Sequence, residues 1–98
     1  MNQDELALFA KEKYLNLETF RKNGTPVDTP VWFAEDRGTF YVYSRADAGK
    51  VKRVRNSPRA RIAPCDVRGK LKGTWVDAEA RVAGEAEAAR GQELLNKK

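Results

Sequence analysis

The stretch from Leu15 to Ser44, LNLETFRKNGTPVDTPVWFAEDRGTFYVYS, decides the fold. It opens in alternation, with Leu15, Leu17 and Thr19 on one side and Phe20 on the other, the period of a strand with one buried face. Lys22-Asn23-Gly24 then interrupts it, and Asn-Gly is a strong hairpin signal because both residues tolerate the positive φ of a tight turn. The return strand is expected over Thr25 to Ala34. Pro26 and Pro30 have no N–H to give to a ladder, so this strand should lie on an edge or carry a bulge, with backbone groups left to meet something else. Glu35-Asp36-Arg37-Gly38 reads as the next turn, and Thr39 to Ser44, aromatic and β-branched, as a third strand.

Upstream, Gln3 to Tyr14 places Leu6, Phe9, Ala10 and Lys13 at helical spacing with Asp4 and Glu5 in the first turn, which predicts a short N-terminal helix. Downstream, Ala48 to Asn56 has helical character, with Val51 and Val54 inward and Ser57-Pro58 as its stop. Arg59 to Val67 alternates again. Arg68-Gly69-Lys70 should turn the chain into a long strand from Leu71 to about Val82, and Glu85 to Lys98, rich in Ala, Glu and Leu, reads as helix. That last helix meets no clear C-cap, which suggests a sequence clipped before its packing partner. Short turns make most strand pairs antiparallel and predict a small barrel or strongly curled sheet with flanking helices.

A chain of 98 residues makes one domain, here residues 1–98, with a modest core that oligomerisation would help. The charged fraction of 34% is high, yet nine aromatics and clear turn punctuation argue for a folded, soluble protein. No apolar run approaches the roughly 20 residues that cross a bilayer. Acids precede the short apolar patch of the N-terminus, the reverse of a signal peptide, so a cytoplasmic location is expected. Cys65 is single and reads as a buried, inert thiol. With no histidine there is no Ser-His-Asp triad and no His-based zinc or haem-iron site.

The charge is local. Arg45, Lys50, Lys52, Arg53, Arg55, Arg59 and Arg61 stand against Asp47 alone between Ser44 and Arg61, which leaves 12 cations and 13 acids for the rest of the chain. An anion is the expected visitor. If the helix starts near Asp47 or Ala48, with Asp47 or Ser44 as candidate caps, Lys50 lies in its first turn. A cation there opposes the helix dipole by a few tenths of a kcal/mol in the empty protein and becomes favourable when a phosphate docks on the free amides, the Ser44 hydroxyl and the Lys50 ammonium. Arg53, three residues on, reaches the same face. The competing reading is a solvated charged helix surface, with Arg59 and Arg61 paired to glutamates elsewhere.

A second constellation is Thr29-Pro30-Val31-Trp32-Phe33, facing Tyr41-Val42-Tyr43-Ser44 across a tight turn. Aromatics and free backbone groups beside an anion pocket suit a phosphorylated planar ring. For any one of Trp32, Phe33 and Tyr41, a place in the core is the favoured reading on burial statistics. Trp75 reads as core or interface, and Glu85, Glu87 and Glu93 as a solvated helix face.

The run LETFRKNGTPVDTPVWFAEDRGTFYVYSRADAGKVKRVRNSPRARIAPCDVRG resembles the pyridoxamine 5′-phosphate oxidase-like split β-barrel proteins, most closely the branch of deazaflavin (coenzyme F420)-dependent oxidoreductases. The likeness covers roughly residues 15 to 83. It implies a mainly β, antiparallel, Greek-key-like split β-barrel with short flanking helices, and a homodimer with the cofactor, coenzyme F420 or FMN, in a groove between subunits. The strand Thr29, Pro30, Val31, Trp32, Phe33 would lie along the ring. Tyr43, Ser44 and Lys50 would hold the phosphate, with Gly49 beside it; assistance from Arg53 is inferred from helix geometry. Such enzymes move a hydride to or from the ring, so the lack of histidine is no obstacle.

One departure matters. The pyridoxamine oxidases proper carry an arginine and a lysine bracketing the strand that here reads Thr29 to Ala34, and this chain has neither, which disfavours pyridoxamine phosphate as substrate. The family's C-terminal part normally continues past a helix like Glu85 to Lys98. Two other classes compete: a nucleic-acid-binding β-barrel, disfavoured because the cations cluster on one helix instead of interleaving with aromatics, and a cofactor carrier without turnover. The sequence leaves the substrate and the direction of hydride transfer open.

Overall fold

A computed structural model of the chain describes residues 2–44 and 48–97. Its elements in order are α1 (Gln3–Ala7), β1 (Tyr14–Phe20), β2 (Pro26–Asp36), β3 (Thr39–Val42), α2 (Gly49–Asn56), β4 (Arg59–Cys65), β5 (Val76–Glu79) and α3 (Glu85–Asn96). The strands form one sheet in the order β3-β2-β1-β4-β5, every neighbouring pair antiparallel. Hairpins join β1, β2 and β3, and β4 returns to lie beside β1, which is the Greek-key arrangement. The chain is thus mainly β, a curled half-barrel with short helices, as the sequence predicts.

The turns have the chemistry their geometry demands. Gly24 takes φ +87° in the first hairpin, and Arg37 (φ +52°) with Gly38 (φ +85°) makes a two-residue primed turn between the paired residues Asp36 and Thr39. Alternation then sorts the faces. Leu15 pairs with Val31 and Pro64, Leu17 with Thr29 and Ile62, and Ile62 with Val76, so one face of the sheet collects the core. Phe9, Leu15, Val31, Phe33, Ile62 and Val76 form the buried cluster. Each such side chain contributes on the order of 1.5–3 kcal/mol by leaving water.

Three elements differ from the sequence reading. The N-terminal helix, started by an Asn2–Glu5 capping box, stops at Ala7 instead of running to Tyr14. The cause is Phe9, which drops into the core and sets its ring edge-on to Phe33 and Phe40 at 6.1 and 5.0 Å. The long strand expected from Leu71 to Val82 is regular only over Val76–Glu79, with a single bridge from Leu71 to Cys65. Between them Gly73 lies so close to Pro64 that an added Cβ would come within 2.7 Å of its ring. Lastly, β2 is interior to the sheet, but β3 covers it only from Phe33 to Asp36; among the described residues, Pro26 to Trp32 have no strand on that side, where both strand prolines fall.

α3 lies over β2 and β3. Gly91 seats it, since a Cβ there would approach the Tyr41 ring to 2.7 Å, and Arg90 reaches Asp36 at 3.2 Å. Among the described residues no helix is long and apolar enough to cross a membrane.

Candidate functional site

The site begins where β2 and β3 part. Phe33 pairs with Val42, and the next register position would pair Trp32 with Tyr43, but β3 ends at Val42. Phe33 N–H donates toward Lys13 O on the β1 side at 3.4 Å. By the alternation of an antiparallel ladder, the N–H and C=O of Trp32 therefore face the opening, as does the C=O of Pro30, whose missing N–H costs no pair there. Trp32 and Tyr43 are 43% and 69% exposed, flanking that opening from either strand.

Past Tyr43 the chain leads to α2, whose N-cap is Ala48, with no side-chain hydrogen bond capping it. Ser44 thus is not the cap; Asp47, the other candidate, lies outside the described residues, as does Arg45. Gly49 is the first helical residue and Lys50 the second, so Lys50 does occupy the first turn, among amide groups without an intrahelical acceptor. Among the described residues no carboxylate forms a salt bridge with Lys50. Arg53 bends back to the same helix start. Its Nε donates to Thr19 Oγ1 at 2.6 Å, and its Nη1 lies so near Gly49 that a Cβ there would come within 2.9 Å.

An open groove of about 970 Å³ adjoins this corner, with Tyr43, Ser44, Lys50 and Arg55 on its wall and Leu17 and Ile62 on its floor. The structure thus brings Tyr43, Ser44 and Lys50 to one groove and Gly49 and Arg53 to one helix end. Thr29, Pro30, Val31, Trp32 and Phe33 stay on the neighbouring strand and do not line the groove. Val31 (8% exposed) and Phe33 (1%) point into the core, and by the same alternation their N–H and C=O face β1, so the edge that meets the opening is that of Pro30 and Trp32. The remaining cations divide. Arg61 is held by Glu18 at 2.7 Å and covers the Trp75 ring, while Arg59 covers Phe20 at 4.3 Å; both are committed within the fold.

Two participants escaped the sequence reading. Arg55 joins Lys50, Val51 and Val54 on the groove side of α2, a spacing that marks one helical face and was available in the sequence. Thr19, which fixes Arg53, carried no such signal, since its role requires the helix to be folded against β1.

The residues at hand fit a phosphorylated planar group. A glycine lying close to a guanidinium, a lysine at a helix start with no carboxylate partner among the described residues, and a strand edge between two exposed aromatics could supply a phosphate cradle and a ring shelf. The model of the family described as Pyridoxamine 5'-phosphate oxidase matches residues 1–98, and the chain belongs to that family. Among solved structures, the conserved hypothetical protein Rv2991 from Mycobacterium tuberculosis is similar in fold, with TM-score 0.75 and 22% identity over 97% of this chain and 62% of its own. The chain therefore spans less than two thirds of that neighbour's length. No curated protein matches the chain.

Proposed function

We propose that this chain binds a phosphorylated flavin-type cofactor, coenzyme F420 or FMN, and serves an oxidoreductase that transfers a hydride between the ring and a small organic substrate. The observation that carries the reading is the corner where β3 leaves β2: an open strand edge at Trp32 set beside a helix start that holds Gly49, Lys50 and Arg53. Membership of the pyridoxamine 5′-phosphate oxidase family supports the cofactor class.

The bound ring supplies the redox chemistry. The chain's own residues bind and orient it. Lys50, the amides of the first turn of α2 and the Ser44 hydroxyl hold the phosphate, with Arg53 fixed beside them by Thr19. The main chain of Thr29 to Phe33 runs along the ring, with Trp32 and Tyr43 at its ends. Two copies facing each other across the open half of β2 would enclose the ring, so the working form is a homodimer.

Titrating the purified protein with FMN and, separately, with coenzyme F420 while following ring fluorescence tests the reading. Micromolar binding of one of them is expected, and no binding of either at that concentration overturns it. A turnover assay with the cofactor that binds then separates an enzyme from a carrier.

A further inference from the structure

The face of the sheet opposite the core carries a row of charges that hydride transfer does not use. Cross-strand register places Asp28 on β2 opposite Glu18 on β1, Glu18 opposite Arg61 on β4, and Arg61 opposite Asp77 on β5. Three acids therefore share one row with a single arginine. That arginine is already committed: its Nε donates to Glu18 Oε1 at 2.7 Å. Glu18 is 4% exposed, so its ionised form depends on this bond, while Asp28 sits directly across from it in the register and, among the described residues, forms no salt bridge. Two carboxylates directly opposite on antiparallel strands repel unless a proton lies between them.

We propose that Asp28 and Glu18 share one proton across the β1–β2 pair, and that this proton is a pH-sensitive latch on the strand whose outer edge stands open from Pro26 to Trp32. With the proton in place Asp28 donates to the Glu18 carboxylate, which also accepts from Arg61. Without it, two negative charges face each other at the one point where β2 is joined to β1 by charged side chains, two residues from Pro30 and four from Trp32.

The directions of titration agree. Burial, then the bond to Glu18 and its charge, hold the Asp28 carboxyl above the ordinary aspartate value, with Arg61 opposing. Burial alone would raise Glu18 too, but the bonds from Arg61 and Asp28, with the charges of Arg61 and Arg59, bring it below the ordinary glutamate value. Asp77, opposite Arg61, stabilises the arginine's charge. A raised carboxyl stabilises the fold fully below the unfolded-state value of 3.8 and loses that contribution as pH climbs through the folded-state value. The latch is closed below the ordinary aspartate value and opens as pH climbs through the raised folded-state value.

The test uses the intact chain and needs no ligand, so it stands apart from the cofactor reading. Side-chain carboxyl ¹³C shifts followed against pH give the Asp28 titration directly, and thermal midpoints of wild type and Asp28→Asn are compared from about pH 4 to about pH 7. The asparagine keeps a donor to Glu18 but cannot lose it. The expected result is an Asp28 midpoint above the ordinary aspartate value and a variant whose advantage in melting temperature grows across that range. An Asp28 midpoint at or below the ordinary value overturns the proposal, as does a difference that stays constant with pH. Should the variant fold poorly, the carboxyl titration of the wild type decides alone.

Discussion

Arg53 Nε donates a 2.6 Å hydrogen bond to Thr19 Oγ1, and Thr19 is 1% exposed in the middle of the sheet. A side chain from the basic helix is thereby fastened to the most protected strand of the fold, and the start of that helix is fixed with it. Thr19→Val keeps the volume and removes the acceptor, and should cost about 1.5–3 kcal/mol, the scale of a hydrogen bond to a charged group. Urea denaturation of Thr19→Val, Arg53→Met and the double variant measures it. Strictly additive single effects would mean that the two side chains do not interact.

Lys50 is predicted to behave in the opposite manner. Since no carboxylate among the described residues pairs with it, Lys50→Ala should leave the urea midpoint within error. It should weaken cofactor binding by about 1.5–3 kcal/mol, roughly 10- to 150-fold. Unchanged affinity, read by ring fluorescence, would make Lys50 ordinary surface.

Gly91 gives a test of how α3 is seated. In an open helix, Gly→Ala is stabilising by up to about 1 kcal/mol. Here the new Cβ would meet Tyr41 Cδ1 at 2.7 Å and its Cβ at 3.2 Å, within a ring bound to backbone that cannot retreat. Gly91→Ala should therefore lower stability by about 1–3 kcal/mol, the usual cost of overpacking. A rise in the thermal midpoint would place α3 elsewhere.

Cys65 is 1% exposed, and burial, reinforced by the charges of Asp66 and Glu12, pushes its thiol above the ordinary value. The thiolate is the reactive form, so iodoacetamide at neutral pH should label the native protein slowly and the urea-unfolded chain fast. Fast labelling of the folded protein would mean that β4 is not covered.

At acid pH the Glu18–Arg61 pair sets the sign. Glu18 lies below its ordinary value of 4.5 in the fold, so its contribution is present above that value and fades as pH falls through the folded-state value. Melting temperatures of Glu18→Gln and wild type should converge as pH drops below about 4, and a gap that persists to pH 2 would show that the glutamate acts through packing alone.

Much of the half-barrel was legible because its turns have local chemistry. Asn23-Gly24 and Arg37-Gly38 are hairpin signals whatever surrounds them, and β1, β2, β3 and β4 fall within a few residues of their expected limits. The helix over Gly49–Asn56 was equally plain from Val51, Val54 and the Ser57-Pro58 stop. What failed was set at long range. α1 ends early because Phe33 and Phe40 recruit Phe9, and the last strand is shortened where Gly73 meets Pro64, contacts that no window of sequence contains. The candidate site shows the same division. Lys50 at a helix start followed from spacing, whereas the commitment of Arg61 to Glu18 and of Arg53 to Thr19 depends on which strands lie side by side. Trp32 and Phe33 stood alike as core candidates in the sequence, and only the folded sheet separates them, Phe33 buried and Trp32 exposed.

The two outermost strands, Thr39–Val42 and Val76–Glu79, are four residues each, and the second carries Asp77 and Glu79. An unclosed sheet normally invites further chains to add to its margins in endless stacks. Margins this short, one of them bearing acids at alternate positions, offer a newcomer few bonds and a repulsive welcome, and the longer open stretch of β2 is interrupted by Pro26 and Pro30, which have no N–H to give.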